Sequence, residues 1–322
     1  MGNVPESAKY FTAVREIVSR PNFDADFIVT LENFASLVGE YQLDEDVACQ
    51  LDRQGTLCRR EHRHGWVAKA HAGAEAMIGG VCAAKYFNAN HAFSTERNRI
   101  RRENNIRDYL TRLRVMVDDP AFPSLIQRER SRLSFLRESV DAMREELPAG
   151  IVRRIEDMVR TGNNSVVIEY RYEEKQDDGR IEYSWQAQQI ASLVGVSPWN
   201  QSATGLLFTA LREIRETLPH VELGESAGER RLKKWLDTLS GLQTCTSQID
   251  ELTEDWNRFI DPENLQKLWL LTNEHSHRIK LVQFAQRALT SKSLSETEAR
   301  RILDDLRAEI RSRNLGRDFR SI

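Results

Sequence analysis

Cysteine is scarce in this chain: four in 322 residues, unevenly placed, too few to frame a fold with disulfides. No apolar run reaches the roughly 18 residues that read as a bilayer-spanning helix. Residues 1–10 lack a basic stretch followed by an apolar one, so no secretory leader is expected, and the expected location is cytoplasmic. Neither sign of charge prevails. Lys and Arg number 46 against 49 Asp and Glu, a formal net charge of -3, so no global field draws the protein onto nucleic acid or a membrane. Any such contact must come from a local patch. Walker A, Gly-x-Gly-x-x-Gly and His-Glu-x-x-His motifs are missing, as is the His-x-Glu with Pro-Cys-x-x-Cys signature of zinc deaminases. Nucleotide hydrolysis and the commonest zinc-dependent hydrolyses therefore have no visible apparatus.

What is present suggests helices. Hydrophobic residues make up 40% and charged residues 30%, a balance typical of long solvated helices. The length fits two or three domains, and the pattern divides it into 1–93, 94–162 and 163–322. Residues 5–20 and 24–40 read as helices. The second has Phe27, Leu31, Phe34, Leu37 and Val38 on one face, Asp24 as N-cap and Gly39 as stop. Residues 65–78 read as a short hairpin turning at His71 to Ala74, and 81–87 as a short helix. Residues 94–160 are helical, with a break at Pro120 and Pro123 and an end at Gly162. One substantial β element is expected near 166–185. There the Asp178-Gly179 turn separates Val166–Tyr172 from Arg180–Trp185. The C-terminal part reads as a bundle in which a long helix through Leu232, Leu239, Ile249 and Trp256 packs on 263–289 and 296–312. Its helix starts are marked by Ser226-x-x-Glu229, Asp261-Pro262-Glu263 and Ser295-x-x-Glu298. The expected fold is mainly α.

Chemistry gathers near the N-terminus, where Cys49, Cys58 and Cys82 crowd together. Cys58-x3-His62 precedes the hairpin, and Cys82 opens the helix after it. Zinc takes four tetrahedral ligands and prefers thiolate and imidazole. A cysteine at a helix N-terminus is acidified by the local dipole, and a hairpin this small gains from a metal staple. Knuckle, hairpin and helix in that order resemble the treble-clef arrangement of small zinc modules, over residues 56–92. Such modules usually supply a second helix ligand three residues after the first, but that position here is Lys85. The expected ligands are Cys58, His62, Cys82 and His91, with Cys49 the alternative to His91. His64 and His71 stand outside the set. A closed four-ligand site would be structural. The competing reading is that the cysteines are ordinary buried ones.

Downstream, Arg97, Arg99, Arg101, Arg102, Arg107, Arg112 and Arg114 face only Glu103 and Asp108 within the same stretch. Arginine forks suit phosphate oxygens, so Arg97, Arg99, Arg101, Arg102 and Arg107 form a candidate nucleic-acid surface. A solvated or internally paired helix face is the competing reading. Gly224-x-Ser226-x-Gly228 matches a nucleophile elbow literally, but no α/β sheet precedes it, and Ser226 has simpler work as a cap. The expectation is a zinc-stabilised binding protein rather than an enzyme, contacting nucleic acid or a nucleic-acid-handling partner and no membrane. The alternatives are a helical coiled-coil or bundle assembly protein that self-associates or binds another protein, and an enzyme with an unrecognised site.

Overall fold

The computed structural model describes residues 9–53, 55–87, 91–222, 227–290 and 292–322. These residues form ten α-helices and seven strands, and the chain is mainly α. None of the described helices is long and apolar enough to cross a membrane. The chain divides into two compact units. Unit 1 is Met1–Asp119 with Pro219–Asp237, and unit 2 is Pro120–Leu218 with Thr238–Ile322. Residues 94–162 are shared between them.

Unit 1 is built on a sheet that the helical reading of residues 24–40 missed. Strand β1 (Lys9–Phe11) leads to a one-turn helix α1 (Val14–Val18), and then to a 15-residue strand β2 (Phe34–Ala48). The hairpin β3 (Glu61–Ala70) and β4 (Glu75–Gly79) follows as expected, then helices α2 (Gly80–Phe87) and α3 (His91–Val117). Strand order is β1-β2-β3-β4, parallel between β1 and β2 and antiparallel elsewhere.

The misreading of 24–40 has a physical cause. Register shifts at Phe34/Ser36 and Leu37/Gly39 break the strict alternation of β2, leaving an apolar spacing that also fits a helix. Gly39 ends nothing. It sits mid-strand against β1, where a Cβ would lie 2.2 Å from the Lys9 carbonyl oxygen, so only glycine lets the two backbones approach. Asp24 caps no helix and instead accepts a hydrogen bond from the Asp26 N–H in a local turn.

Both faces of this sheet are buried. Leu37, Trp66, Ala68, Ala76 and Ile78 point to one side, where they meet Phe87 of α2 and Phe93 and Ile100 of α3. Phe34, Phe87 and Phe93 form a ring cluster there, with centroids 5.1–5.6 Å apart. Val38, Tyr41, Val67 and Met77 point to the other side with Phe11 and Ile17. That is why β4 carries apolar side chains at successive positions, Ala76, Met77 and Ile78.

Unit 2 holds α4 (Ala121–Glu146) and α5 (Ala149–Thr161), and Gly162 closes α5 in a left-handed conformation. The expected hairpin is β5 (Ser165–Lys175) and β6 (Ile181–Ser192), turning at left-handed Gly179. It gains a third strand, β7 (Phe319–Ser321), beside β5.

Helices α6 (Gln201–Glu222) and α7 (Glu229–Phe259) run through both units' residue ranges. The expected apolar stripe of α7 is real: Leu239, Leu242, Cys245, Ile249, Leu252, Trp256 and Phe259 are buried at steps of three and four. Of the expected helix starts, Ser295 caps α10 with a capping box and Asp261 caps α8, whereas Ser226 lies outside the described residues.

Residues 263–289 are not one helix. They form α8 (Pro262–Leu265), a 3-10 turn at Leu268–Leu271 and α9 (His275–Thr290), and α9 packs on α10 (Glu296–Arg313). Leu268, Trp269, Leu270 and Leu271 are all buried, and four consecutive residues cannot share one face of an α-helix.

Candidate metal centre

Three segments of unit 1 deliver the cysteines to one point. The first follows the end of β2, where the Cys49 N–H donates to the Arg60 carbonyl oxygen and the Cys49 carbonyl oxygen accepts from the Arg59 N–H. The second is the knuckle before β3. Here the Cys58 N–H donates to the Leu51 carbonyl oxygen, and Arg59 adopts a left-handed φ of 49° that turns the chain back. These bonds zip the Cys49 and Cys58 segments side by side. The third is the first turn of α2, which carries Cys82.

Gln50, 4% exposed, braces the first segment. Its amide nitrogen donates to the carbonyl oxygens of Asp24, Ala25 and Phe27, and its amide oxygen accepts from the Met77 N–H.

The Sγ atoms of Cys49, Cys58 and Cys82 all lie within 4.8 Å of one another, with Cys58 and Cys82 3.6 Å apart. Tetrahedral zinc–thiolate bonds of about 2.3 Å place two ligand sulfurs about 3.8 Å apart. The spacing therefore fits one metal ion among the three. The Gly79 N–H donates to the Cys49 sulfur at 3.3 Å, the kind of backbone bond that steadies a thiolate. Cys49 and Cys82 are buried and Cys58 is half-buried.

The thiols do not ionise alike. Burial works to raise the Cys58 pKa, but hydrogen bonds from the Arg60 N–H and the two neighbouring thiols, with Arg53 nearby, hold it below the usual thiol range. Burial, then the charges of Cys49 and Cys58, push Cys82 up to about 12. Cys49 is raised, chiefly by burial. Cys58 is thus the thiol that ionises most easily of the three, while three thiolates together repel in a desolvated space that a divalent cation would neutralise.

The predicted ligands are placed as follows. Cys58 and Cys82 come together, and Cys49 joins them. His62 sits on β3 with its ring packed over Gly79, whose Cβ would lie 3.0 Å from it. Its Nε2 meets the Tyr41 hydroxyl and its Nδ1 the Arg60 carbonyl oxygen, so both ring nitrogens have partners outside the sulfur cluster. His91 is exposed at the start of α3. His64 pairs with Glu40, and His71 lies exposed at the β3–β4 turn. Lys85, at the helix position where a second ligand is usual, stacks its ammonium over the Tyr86 ring. What made Cys49 hard to place was the eight-residue gap to Cys58, which reads as a loop until the paired backbones close it.

The arginines of α3 divide. Arg99 is committed within the unit, to Glu96, Glu103 and the Leu37 carbonyl oxygen. Arg97 is half-buried, and its Nε has no hydrogen-bond partner among the described residues. Arg101 is exposed and lays its guanidinium over Trp66, 5.5 Å from the ring centre. Arg102 and Arg107 are exposed.

Compared with profiles of known protein families, with curated proteins and with solved structures, the chain matches none. Among the described residues, the sulfur cluster is the one group of three or more Cys, His, Asp or Glu donors close enough to share an ion.

Proposed function

We propose that this chain is a non-enzymatic binding protein whose unit 1 is stapled by a structural zinc ion on Cys49, Cys58 and Cys82. The observation that carries the reading is the convergence of three Sγ atoms to within 4.8 Å from three separate segments. His62, four residues after Cys58 and packed against the glycine that hydrogen-bonds Cys49, is the imidazole best placed to complete the tetrahedron by exchanging its bond to Tyr41. Soft thiolates favour zinc over magnesium or calcium, and a closed site of this kind holds a fold together rather than activating water. Purified full-length protein is expected to contain close to one zinc per chain by elemental analysis, and Cys58→Ser close to none. A folded, metal-free wild type would remove the reading.

The binding surface in this reading is the exposed part of α3, at Arg101, Arg102 and Arg107, with nucleic acid or a nucleic-acid-handling protein as partner. Support comes from Arg101 and Arg102, which have no carboxylate partner among the described residues and are free to meet phosphate. Arg101→Glu with Arg102→Glu is expected to weaken low-salt binding to mixed-sequence DNA and RNA by on the order of tenfold or more, and to flatten its salt dependence. Circular dichroism and zinc content should stay unchanged. No low-salt binding by the wild type would exclude the nucleic-acid partner.

A second reading, a protein-assembly role without nucleic acid, is supported by Phe135 and Leu206 in unit 2, 70% and 71% exposed. It predicts a concentration-dependent oligomer in light scattering that survives the double arginine reversal.

A further inference from the structure

The three thiols differ in what can reach them. Cys49 is fully buried and Cys82 is 6% exposed, whereas Cys58 lies half-buried on the loop between β2 and β3. Cys58 is therefore the sulfur that a small solute meets first. Its hydrogen-bonded sulfur partner is Cys82, at 3.6 Å. A disulfide needs about 2.05 Å, so closure asks for a shift of roughly 1.5 Å from a side chain on a loop rather than on a strand. Cys49 is the less suited resolving partner, because its sulfur is engaged by the Gly79 N–H and its backbone is tied on both sides to residues 59 and 60.

We propose that Cys58 is an oxidation site: hydrogen peroxide converts the Cys58–Cys82 pair to a disulfide and thereby expels the metal. The proposal rests on the metal reading above. In the first step the Cys58 thiolate attacks one peroxide oxygen. An S–O bond forms, the O–O bond breaks, and hydroxide leaves to take up a proton as water. The product sulfenic acid is a poor zinc ligand. In the second step the Cys82 thiolate attacks the Cys58 sulfur. An S–S bond forms, the S–O bond breaks, and the second oxygen leaves as hydroxide to become water. Two thiolates, one peroxide and two protons give one disulfide and two waters, the two sulfurs supplying the two electrons. Cys49 and His62 leave zinc only two of its four ligands, too few to retain the ion, so the staple passes from a metal to a covalent link that spans two segments rather than three. Peroxide would then tune whatever unit 1 binds.

The test uses the zinc-loaded full chain. Hydrogen peroxide is added in increasing excess, released zinc is followed with a chromogenic chelator, and remaining thiols are blocked for peptide mass spectrometry without reduction. The expected result is one zinc released per Cys58–Cys82 disulfide, with Cys49 and the buried Cys245 still alkylatable after unfolding. Dithiothreitol with added zinc should restore the starting state, and Cys245→Ser should behave as the wild type. Zinc that stays bound at an excess oxidising Cys58, a sulfinate at Cys58 with no disulfide, or a disulfide through Cys49 would each overturn the proposal while leaving the metal reading standing. A chain that takes up no zinc before peroxide is added defeats the metal reading, and this proposal with it.

Discussion

Cys49→Ser is expected to lose its zinc and to lower the melting temperature of unit 1 by on the order of 10 °C or more. Metal bound only by the folded state adds its binding free energy to folding, and structural zinc in small modules is worth roughly 10–16 kcal/mol near neutral pH. Removing one of three convergent thiolates forfeits a large part of that. Each kcal/mol moves the midpoint of a domain the size of unit 1 by about 2–5 °C.

The substitution also puts a hydroxyl where a buried sulfur accepts the Gly79 N–H, so some loss follows without any metal. A chelator separates the two effects. A strong zinc chelator should lower the wild-type midpoint towards that of Cys49→Ser and leave the variant unmoved. Cys245, buried in unit 2 and not a member of the sulfur cluster, should tolerate Cys245→Ser with zinc content unchanged. A Cys49→Ser protein with wild-type zinc and wild-type melting would show that Cys49 is a packed thiol and not a ligand.

Arg20→Met is expected to destabilise unit 1 by about 3–5 kcal/mol. Glu75 opens β4, and its carboxylate is 1% exposed. Arg20 grips it with two bonds, Nε to Oε2 at 2.6 Å and Nη2 to Oε1 at 3.1 Å, while resting its guanidinium 5.8 Å from the centre of the Phe11 ring. The pair ties the segment after α1 to the sheet edge, where the Glu75 backbone also bonds Asn22 and Asp24. Removing the arginine alone leaves a buried negative charge without compensation, the costly half of breaking an ion pair. Replacing both partners, Arg20→Met with Glu75→Met, removes the stranded charge and should recover most of the loss. Urea unfolding of the two variants and the wild type measures this. An Arg20→Met midpoint within error of the wild type would mean that water or another cation reaches Glu75.

Much of unit 2 was legible because its signals are local. The Asp178-Gly179 turn, the left-handed Gly162, the Ser295 capping box and the apolar stripe of α7 each depend on residues a few positions apart. The Cys58–hairpin–Cys82 order was legible for the same reason, since two short strands and a helix set it within thirty residues.

Unit 1 was harder to read. The bulges of β2 scramble its period of two, and its other stabilising contacts are remote in sequence. Lys9 pairs with Gly39, Arg20 with Glu75, and Leu37 shares Arg99 with α3. The arginine run looked uniform as text. Its positions on α3 set Arg99 facing Glu96 and Glu103 while leaving Arg102 in solvent.

By itself the sequence determined the helical character, the two hairpins and the pair of cysteines that bracket the first of them, because periodicity, turns and caps are written within a few residues. Only the tertiary structure decided that Cys49 joins that pair and that the arginines have unequal freedom. A strand that curls back on its own loop, and a helix laid against a sheet, bring distant atoms within bonding reach through burial, a force that acts on area and carries no record of spacing along the chain.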